Sequence, residues 1–220
     1  MVASSLENLK GNINMKAFIS VLLCGCSMVI FAEALRADTC DTQCNAKFGE
    51  FIGKSLRTKA YSNCNDACVS NEGNLIFYDT GKREMYTGMK WQCVEYARRW
   101  MIENKGMTFG DVVYAYDIWD LPTVENIHSH THTSWQRFTN KDSKKRPQIG
   151  DLLIYNNSIA VTGHVAVVVG AGKDYVLIAE QNYFNRHWVK NDYARQLLMK
   201  VDNQGNYQVV DDGVMGWMRY

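Results

Sequence analysis

The chain has 220 residues, of which 46% are hydrophobic and 21% are charged, and its formal net charge is +1. These values are typical of a globular protein with a proper core and exclude a disordered or fibrous one. The near-neutral charge gives no indication of nucleic acid or an anionic membrane as a partner. The sequence has no P-loop, GxGxxG or HExxH motif, so no cofactor is predicted.

Residues 1–34 are predicted to be a secretory signal. Basic residues precede an apolar run, and Ala32-Glu33-Ala34 has the small-x-small form of a cleavage site. Met15 is an alternative start. The rival interpretation is an uncleaved signal anchor, because the run approaches the length that spans a bilayer. Cleavage is favoured, which predicts that residues 35–220 are secreted or lie in the secretory lumen, without stable membrane insertion.

Residues 35–74 are predicted to form a separate Cys-rich helical hairpin. Its cysteines are Cys40, Cys44, Cys64 and Cys68. Each i,i+4 pair would share a helical face, and an antiparallel hairpin could join Cys40 to Cys68 and Cys44 to Cys64. Four cysteines allow three pairings, and the sequence does not choose among them. A zinc site with all four as ligands is the rival interpretation, but the secretory context favours disulfides.

Cys93 is the odd cysteine in this chain. Cys24 and Cys26 fall in the predicted signal, and the Cys-rich hairpin accounts for four more of the seven cysteines. An odd cysteine in a secreted protein is either an intermolecular linker or a free reactive thiol. Cys93 lies at the predicted first turn of a helix, a position that lowers a thiol pKa.

The predicted helix that begins near Cys93 stops at Gly106. Its inward stripe is predicted to consist of apolar residues, namely Val94, Tyr96, Ala97, Trp100 and Met101. Its charged residues are expected outside, namely Glu95, Arg98, Arg99 and Glu103.

Residues 111–147 are polar and are predicted to be rich in loops. They include His128, His130 and His132, which would share a face on an extended segment and could bind zinc or copper. A polar loop with incidental histidines is favoured because no fourth ligand is apparent. No metal is therefore predicted.

From residue 149 onward the pattern becomes one of short β runs. They are Leu152–Tyr155, His164–Val169, Val176–Glu180, Tyr207–Val210 and Gly213–Met218. A helix that carries a cysteine, followed by an antiparallel sheet that carries a histidine, indicates an α+β fold.

His164 and Glu180 are expected to face each other across one hairpin. Their midpoint is Gly172, which lies within a turn cluster, and directly opposed residues have Cβ atoms about 4.5–5.5 Å apart. A carboxylate there would accept the imidazole N–H and stabilise the imidazolium. Asn182 lies on the same face and could replace or assist Glu180. The amide of Gln92 could donate to a developing oxyanion.

Five segments in order resemble the CHAP family of cysteine, histidine-dependent amidohydrolases/peptidases. They are Trp91-Gln92-Cys93-Val94-Glu95-Tyr96-Ala97-Arg98-Arg99, Ile149-Gly150-Asp151-Leu152-Leu153, Thr162-Gly163-His164-Val165-Ala166, Ala179-Glu180-Gln181-Asn182 and Gly216-Trp217-Met218. The resemblance runs from about residue 75 to the end. It is nearest to the amidase domain of glutathionylspermidine synthetase/amidase and to D-alanyl-glycyl endopeptidase-like proteins.

The resemblance implies a papain-like α+β core over residues 75–220, with the catalytic helix packed on an antiparallel sheet. It also implies Cys93 as nucleophile, His164 as general base and acid, and Glu180 as the orienting group. Only the amidase half is matched, so hydrolysis without a ligase step is expected. The expected substrate is a peptide, above all in bacterial peptidoglycan. The alternatives are a glutathionylspermidine-type amide and a catalytically silent binding module.

Overall fold

The computed structural model describes residues 40–79, 81–190 and 192–220. The predicted signal, residues 1–34, lies outside the described residues. All described residues belong to the unit Thr39–Tyr220. They form mostly antiparallel strands and one α-helix, so the predicted α+β class is confirmed.

Small sheets surround the helix in the first half of the described chain. Two are hairpins, formed by β1 (Phe51–Ser55) with β2 (Thr58–Tyr61) and by β3 (Gly73–Tyr78) with β4 (Arg83–Met89). The elements that follow are helix α1 (Cys93–Lys105), β5 (Met107–Phe109), a 3₁₀ helix (Ala115–Asp120), β6 (Thr123–Asn126) and β7 (His132–Ser134). Strands β5, β6 and β7 pair as a third small sheet.

The second half forms one antiparallel sheet of seven strands. These are β8 (Gln136–Thr139), β9 (Leu152–Tyr155), β10 (His164–Ala171), β11 (Tyr175–Ala179), β12 (Arg195–Val201), β13 (Tyr207–Val210) and β14 (Val214–Arg219). Their order is β13-β12-β11-β10-β9-β14-β8. Leu152 and Ile154 join one apolar cluster and Leu153 and Tyr155 join another, as alternation along a strand requires. The centre of the sheet is therefore buried on both faces.

Helix α1 packs against β10 on one face of this sheet. It ends at Gly106, whose φ of 65° is left-handed and whose N–H bonds back to the last helical turn, so the predicted stop is confirmed. The predicted outward positions of Glu95, Arg98 and Arg99 are wrong, because all three side chains are buried. The helix is covered nearly all round, so charged groups on its sides need partners from other elements.

The Cys-rich segment is not helical. Residues 40–50 and 62–72 are turns, bends and extended chain, and the hairpin β1–β2 lies between them. The structure joins Cys40 to Cys68 and Cys44 to Cys64 by disulfides. The helix prediction was wrong because it relied on the i,i+4 spacing. Two cysteines four residues apart can also lie close together in a segment of turns and bends. The domain boundary near residue 75 stays a prediction.

Four predicted strands match β9, β10, β11 and β13 closely, and β14 is offset by one residue at each end. The loop prediction for residues 111–147 is wrong in part, since the segment holds the 3₁₀ helix and three short strands. Strand β12 was not predicted, because charged and apolar residues mix along it. No helix in the described part of the chain is long and apolar enough to cross a membrane.

Candidate active site

Cys93 is the first residue of helix α1, and its thiol is the free one among the described cysteines. Gln92 precedes it in extended conformation, so the chain turns sharply into the helix at this point. The side chain is 7% exposed. A thiol at a helix N-terminus lies where the positive end of the helix dipole favours its thiolate.

His164 is the first residue of β10, and it is close enough to Cys93 that charge and hydrogen bonding between the two side chains shift the pKa of each. Burial raises the pKa of the Cys93 thiol, but the charge and hydrogen bond of His164 and the N–H groups of Val165 and Val94 lower it further than burial raises it. Burial lowers the pKa of His164, whereas Cys93 and Glu180 raise it to about 9. The electrostatics therefore shift both groups towards a thiolate–imidazolium pair.

Glu180 accepts a hydrogen bond from His164, with 2.9 Å between Nε2 and Oε2. Both side chains are 3% exposed. Burial raises the pKa of Glu180, but His164 and Arg195 outweigh it and lower that pKa below its usual value. Because Nε2 is held by the carboxylate, Nδ1 is the ring nitrogen left for the thiol.

The backbone route to this contact differs from the predicted one. The β10–β11 turn is closed by a bond from the Gly172 N–H to the Tyr175 carbonyl, so it centres beyond Gly172. A bulge follows, and Val167 then pairs with Ala179. The ladder ends at this pair, and in its register Glu180 is a diagonal neighbour of His164 and not its direct partner. Direct opposition was wrong, but a diagonal pair on one face is still within reach of long side chains.

Gln92 and Asn182 contact each other and not His164. The Asn182 Nδ2 donates to the Gln92 Oε1 at 2.8 Å. The Gln92 amide nitrogen faces the Cys-rich segment, 3.4 Å from Asn63 Oδ1 and 3.5 Å from the Cys68 carbonyl. These two amides therefore lie beside the nucleophile. They connect the chain that follows β11 to the Cys-rich segment.

Three charged or phenolic groups behind Glu180 were missed by sequence reasoning, namely Arg195, Asp211 and Tyr155. Arg195 bonds both oxygens of Glu180, at 2.5 and 3.1 Å. It also bonds Asp211 at 2.8 Å, and Asp211 accepts from the Tyr155 hydroxyl at 2.9 Å. Only the β11–β12 pairing, in which Ile178 opposes Arg195, brings this arginine near Glu180.

A second buried polar cluster lies beside the site. Glu95 and Arg99 form an ion pair with an Nε–Oε1 distance of 2.6 Å. Gln181 donates to Glu95 at 2.9 Å, and Thr87 donates to it at 3.0 Å. Because Gln181 directly follows Glu180, this cluster ties the end of β11 to helix α1. It explains how charged residues can be buried on that helix.

Two cavities meet at Cys93. One, of about 320 Å³, is lined among others by Tyr86, Met89 and Arg98. The other, of about 400 Å³, is lined by His164 and includes the acidic Asp66. Thr162 and Cys93 line both, so an extended molecule could cross the thiol from one cavity to the other.

The three histidines of residues 128–132 lie around the β6–β7 turn, away from this site. His130 pairs with Glu125 at 2.7 Å, and His132 lies 3.3 Å from the Thr123 hydroxyl. His128 stacks edge-on against Tyr78. Among the described residues, no group of three or more His, Cys, Asp or Glu side chains could hold a metal ion.

The comparisons with known proteins agree on one family. The CHAP domain profile matches residues 84–182. Trypanothione synthetase of Crithidia fasciculata is 32% identical over 167 residues, 75% of this chain and 24% of the relative. Bifunctional glutathionylspermidine synthetase/amidase of Escherichia coli (strain K12) is 36% identical over 140 residues, 60% of this chain and 22% of the relative. The chain thus spans less than a quarter of the length of the relatives it matches.

Proposed function

Because residues 84–182 of this chain form a CHAP domain, we propose that the protein is an amidohydrolase with Cys93 as its nucleophile. The observation that carries this proposal is the buried line of side chains from Cys93 through His164 to Glu180. Nucleophile, base and orienting group lie in the order that acyl transfer through a thiolate needs.

The reaction proceeds through a thioester. The Cys93 thiolate adds to the amide carbonyl carbon, and the carbonyl electron pair moves onto oxygen. The His164 imidazolium gives its proton to the amide nitrogen as the C–N bond breaks, and the amine leaves. Water then adds to the thioester with neutral His164 as base. The thiolate leaves, the carboxylic acid product is released, and the imidazolium is restored.

The developing oxyanion has two candidate donors. The backbone N–H of Cys93 lies in the first turn of α1, where helix N–H groups have no intrahelical acceptor. The Gln92 amide is the other, and it would have to exchange its long contacts with Asn63 and the Cys68 carbonyl for the substrate oxygen. Either donor would act on charge that develops only during the reaction.

The two cavities at Cys93 would take the two parts of the substrate. His164 must face the nitrogen it protonates, so the cavity lined by His164 would receive the leaving amine. Asp66, Tyr183 and Phe184 also line that cavity. An acidic and aromatic lining supports an amine that carries additional positive charge. The cavity lined by Arg98 would then hold the acyl part.

Two substrate classes follow from different observations. A glutathionylspermidine-type amide is supported by similarity to glutathionylspermidine synthetase/amidase and by the acidic leaving-group cavity. A peptidoglycan peptide is supported by the two disulfides, which are typical of oxidising compartments, and by the predicted signal. We favour the first, because its support includes the site itself.

The decisive experiment compares purified glutathionylspermidine with soluble peptidoglycan peptides as substrates of the full chain. Released amines are measured for the wild type and for Cys93→Ala. We expect hydrolysis of glutathionylspermidine by the wild type and none by the variant. Preference for the peptidoglycan peptides would reassign the substrate. Activity that survives in Cys93→Ala would overturn the mechanism, and no hydrolysis of either substrate would favour a silent binding module.

A further inference from the structure

Arg195 contacts Glu180, the last of the three side chains that run from Cys93 through His164. It is the first residue of β12, and its side chain is 16% exposed. Its Nε lies 2.5 Å from Glu180 Oε1, and its Nη2 lies 3.1 Å from Glu180 Oε2. The Glu180 carboxylate therefore has donors on both oxygens, and His164 supplies only one of them.

The same guanidinium also contacts the two aromatic rings that border His164. It lies 4.2 Å from the centre of the Tyr183 ring, which is itself 4.9 Å from the His164 ring. Its Nη2 is 3.3 Å from the Tyr155 hydroxyl, and the Tyr155 ring lies 5.4 Å from His164. Thus each of the three side chains that fix the imidazole also contacts Arg195.

Arg195 is itself held in place from behind. Its Nη1 lies 2.8 Å from Asp211 Oδ2, and the Tyr155 hydroxyl donates to the same oxygen at 2.9 Å. With all of its nitrogens engaged, the guanidinium has a fixed plane, which suits it to a carboxylate fork. It lines neither cavity at Cys93, so it is not placed to touch substrate.

We propose that Arg195 is a positioning residue, which keeps Glu180 ionised and aligned and acts through it on the His164–Cys93 pair. A buried carboxylate that loses a charged donor takes up a proton at higher pH. Once neutral, Glu180 no longer stabilises the imidazolium. The thiolate of Cys93 then forms only at higher pH, because it depends on that imidazolium.

Arg195 must change the pKa of the Cys93 thiol through Glu180 and not by its own charge. The imidazolium and the thiolate together carry no net charge, so a distant cation changes their joint formation little. The charged or titratable groups that face this line are Cys93, Glu180, Asp66, Asp211 and the phenols Tyr96, Tyr155 and Tyr183. Of these, Glu180 is the one bonded to both Arg195 and His164.

The test uses the reactivity of the thiol itself, so that it does not depend on the substrate. The full chain is treated with iodoacetamide between about pH 4 and pH 9, and alkylation of Cys93 is followed by mass spectrometry of its peptide. We expect the pH midpoint for Arg195→Gln to rise by about one unit, which is about a tenfold loss of thiolate below the midpoint. Arg195→Lys keeps the charge without the fork and should lie between the two.

A matched control removes a similar ion pair elsewhere in the sheet. Arg219 lies on β14, and its Nη2 is 2.7 Å from Asp151 Oδ2, with side chains 21% and 1% exposed. Arg219→Gln should lower stability without moving the alkylation midpoint. A midpoint for Arg195→Gln equal to that of the wild type, or an equal shift in Arg219→Gln, would overturn the inference.

If Arg195→Gln does not fold, Arg195→Lys still measures the shift of the midpoint, and a double variant tests whether that shift passes through Glu180. Glu180→Gln with Arg195→Gln removes both charges of this pair, and the one carboxylate that loses its cation is Asp211, whose side chain is 21% exposed. In the Glu180→Gln background the arginine change should not move the midpoint further. A further shift of about one unit would show action by another route and overturn the inference.

An effect of Arg195 on the rate of amide hydrolysis depends on the proposed function. The positioning role and the proposed function can nevertheless be disproved separately. If Arg195→Gln shifts the alkylation midpoint while no amide is hydrolysed by the wild type, the positioning role holds and the proposed function fails. If the wild type hydrolyses the amide and the midpoint does not move, the reverse holds.

Discussion

Glu180 Oε2 lies 2.9 Å from His164 Nε2, in a contact from which water is almost wholly excluded. A charge-assisted hydrogen bond in such a site is stronger than in water, and it leaves the imidazole only one free nitrogen. Because the other nitrogen is the one left for the neighbouring Cys93 thiol, the order of the three groups is set by packing before any substrate arrives.

Glu180→Gln should reduce kcat/KM by about 100-fold or more with little change in KM. An amide has no charge with which to stabilise the imidazolium, although it nearly keeps the shape of the carboxylate. The matched control is Glu50→Gln, which alters a Glu–His pair at the surface, where His187 lies 3.2 Å away. The control should keep wild-type activity. Equal kcat/KM in wild type and Glu180→Gln would contradict the assigned role.

The pH profile of kcat/KM should be bell-shaped. Its two limbs should be displaced from the ordinary pKa values of a free thiol and a free imidazole. Its acid limb reports formation of the Cys93 thiolate, whose pKa is lowered from 9.0. Its alkaline limb reports loss of the His164 proton, so activity should fall as the pH rises through about 9. Since Glu180 raises that pKa, Glu180→Gln should move the alkaline limb downward. An alkaline limb near 6.5 in the wild type would argue against the buried pair.

The contact between His164 and Glu180 could be predicted from sequence, but not its geometry. Both residues lie near the ends of apolar runs that flank one turn, which was enough to place them together. The bulge between Val168 and Gly170 moved the register, and the one local mark of it in the sequence is Gly170, which also reads as part of the turn. The diagonal placement still works because both residues stay on the same face of the sheet.

The partners of the buried charges could not be predicted, because they come from distant parts of the chain. Helical periodicity assigns Arg99 to solvent, whereas its contacts include the Lys59 carbonyl, 40 positions earlier, and Glu95. Arg195 meets Glu180 only through the β11–β12 pairing. The pattern of apolar and polar residues predicts which face of a helix or strand is apolar. It does not predict which polar side chain will have a partner in the folded protein.

Glu95→Gln should lower the free energy of unfolding by about 3–5 kcal/mol, because it leaves Arg99 buried without its charged partner. The measurement is chemical denaturation followed by tryptophan fluorescence. Glu72→Gln is the control, since that carboxylate pairs with Lys90 at 3.1 Å but is 71% exposed, and its loss should change stability by less than about 0.5 kcal/mol. Equal effects of the two changes would show that burial of the first pair does not matter.

Gly163→Ala should disturb both stability and the site, because this glycine fixes the entry to His164. Its φ is 64°, and a Cβ atom there would lie 2.6 Å from the Tyr155 carbonyl oxygen. The alanine must therefore shift the backbone where Tyr155 pairs with His164. We expect a loss of about 2–3 kcal/mol in the free energy of unfolding and slower alkylation of Cys93 at neutral pH.

Gly205→Ala is the control for Gly163→Ala, because it introduces the same backbone strain without crowding. Gly205 has a φ of 86°, but a Cβ atom there would have nothing within 4 Å. Its alanine variant should lose only about 1 kcal/mol, the cost of a left-handed L-residue, and should keep wild-type alkylation of Cys93. If both variants lose the same stability and both keep wild-type alkylation, the Tyr155 carbonyl does not constrain His164. A larger loss in Gly163→Ala, together with slower alkylation, would assign the difference to crowding at Gly163, where the Cβ atom would also lie 3.1 Å from the Tyr116 side chain.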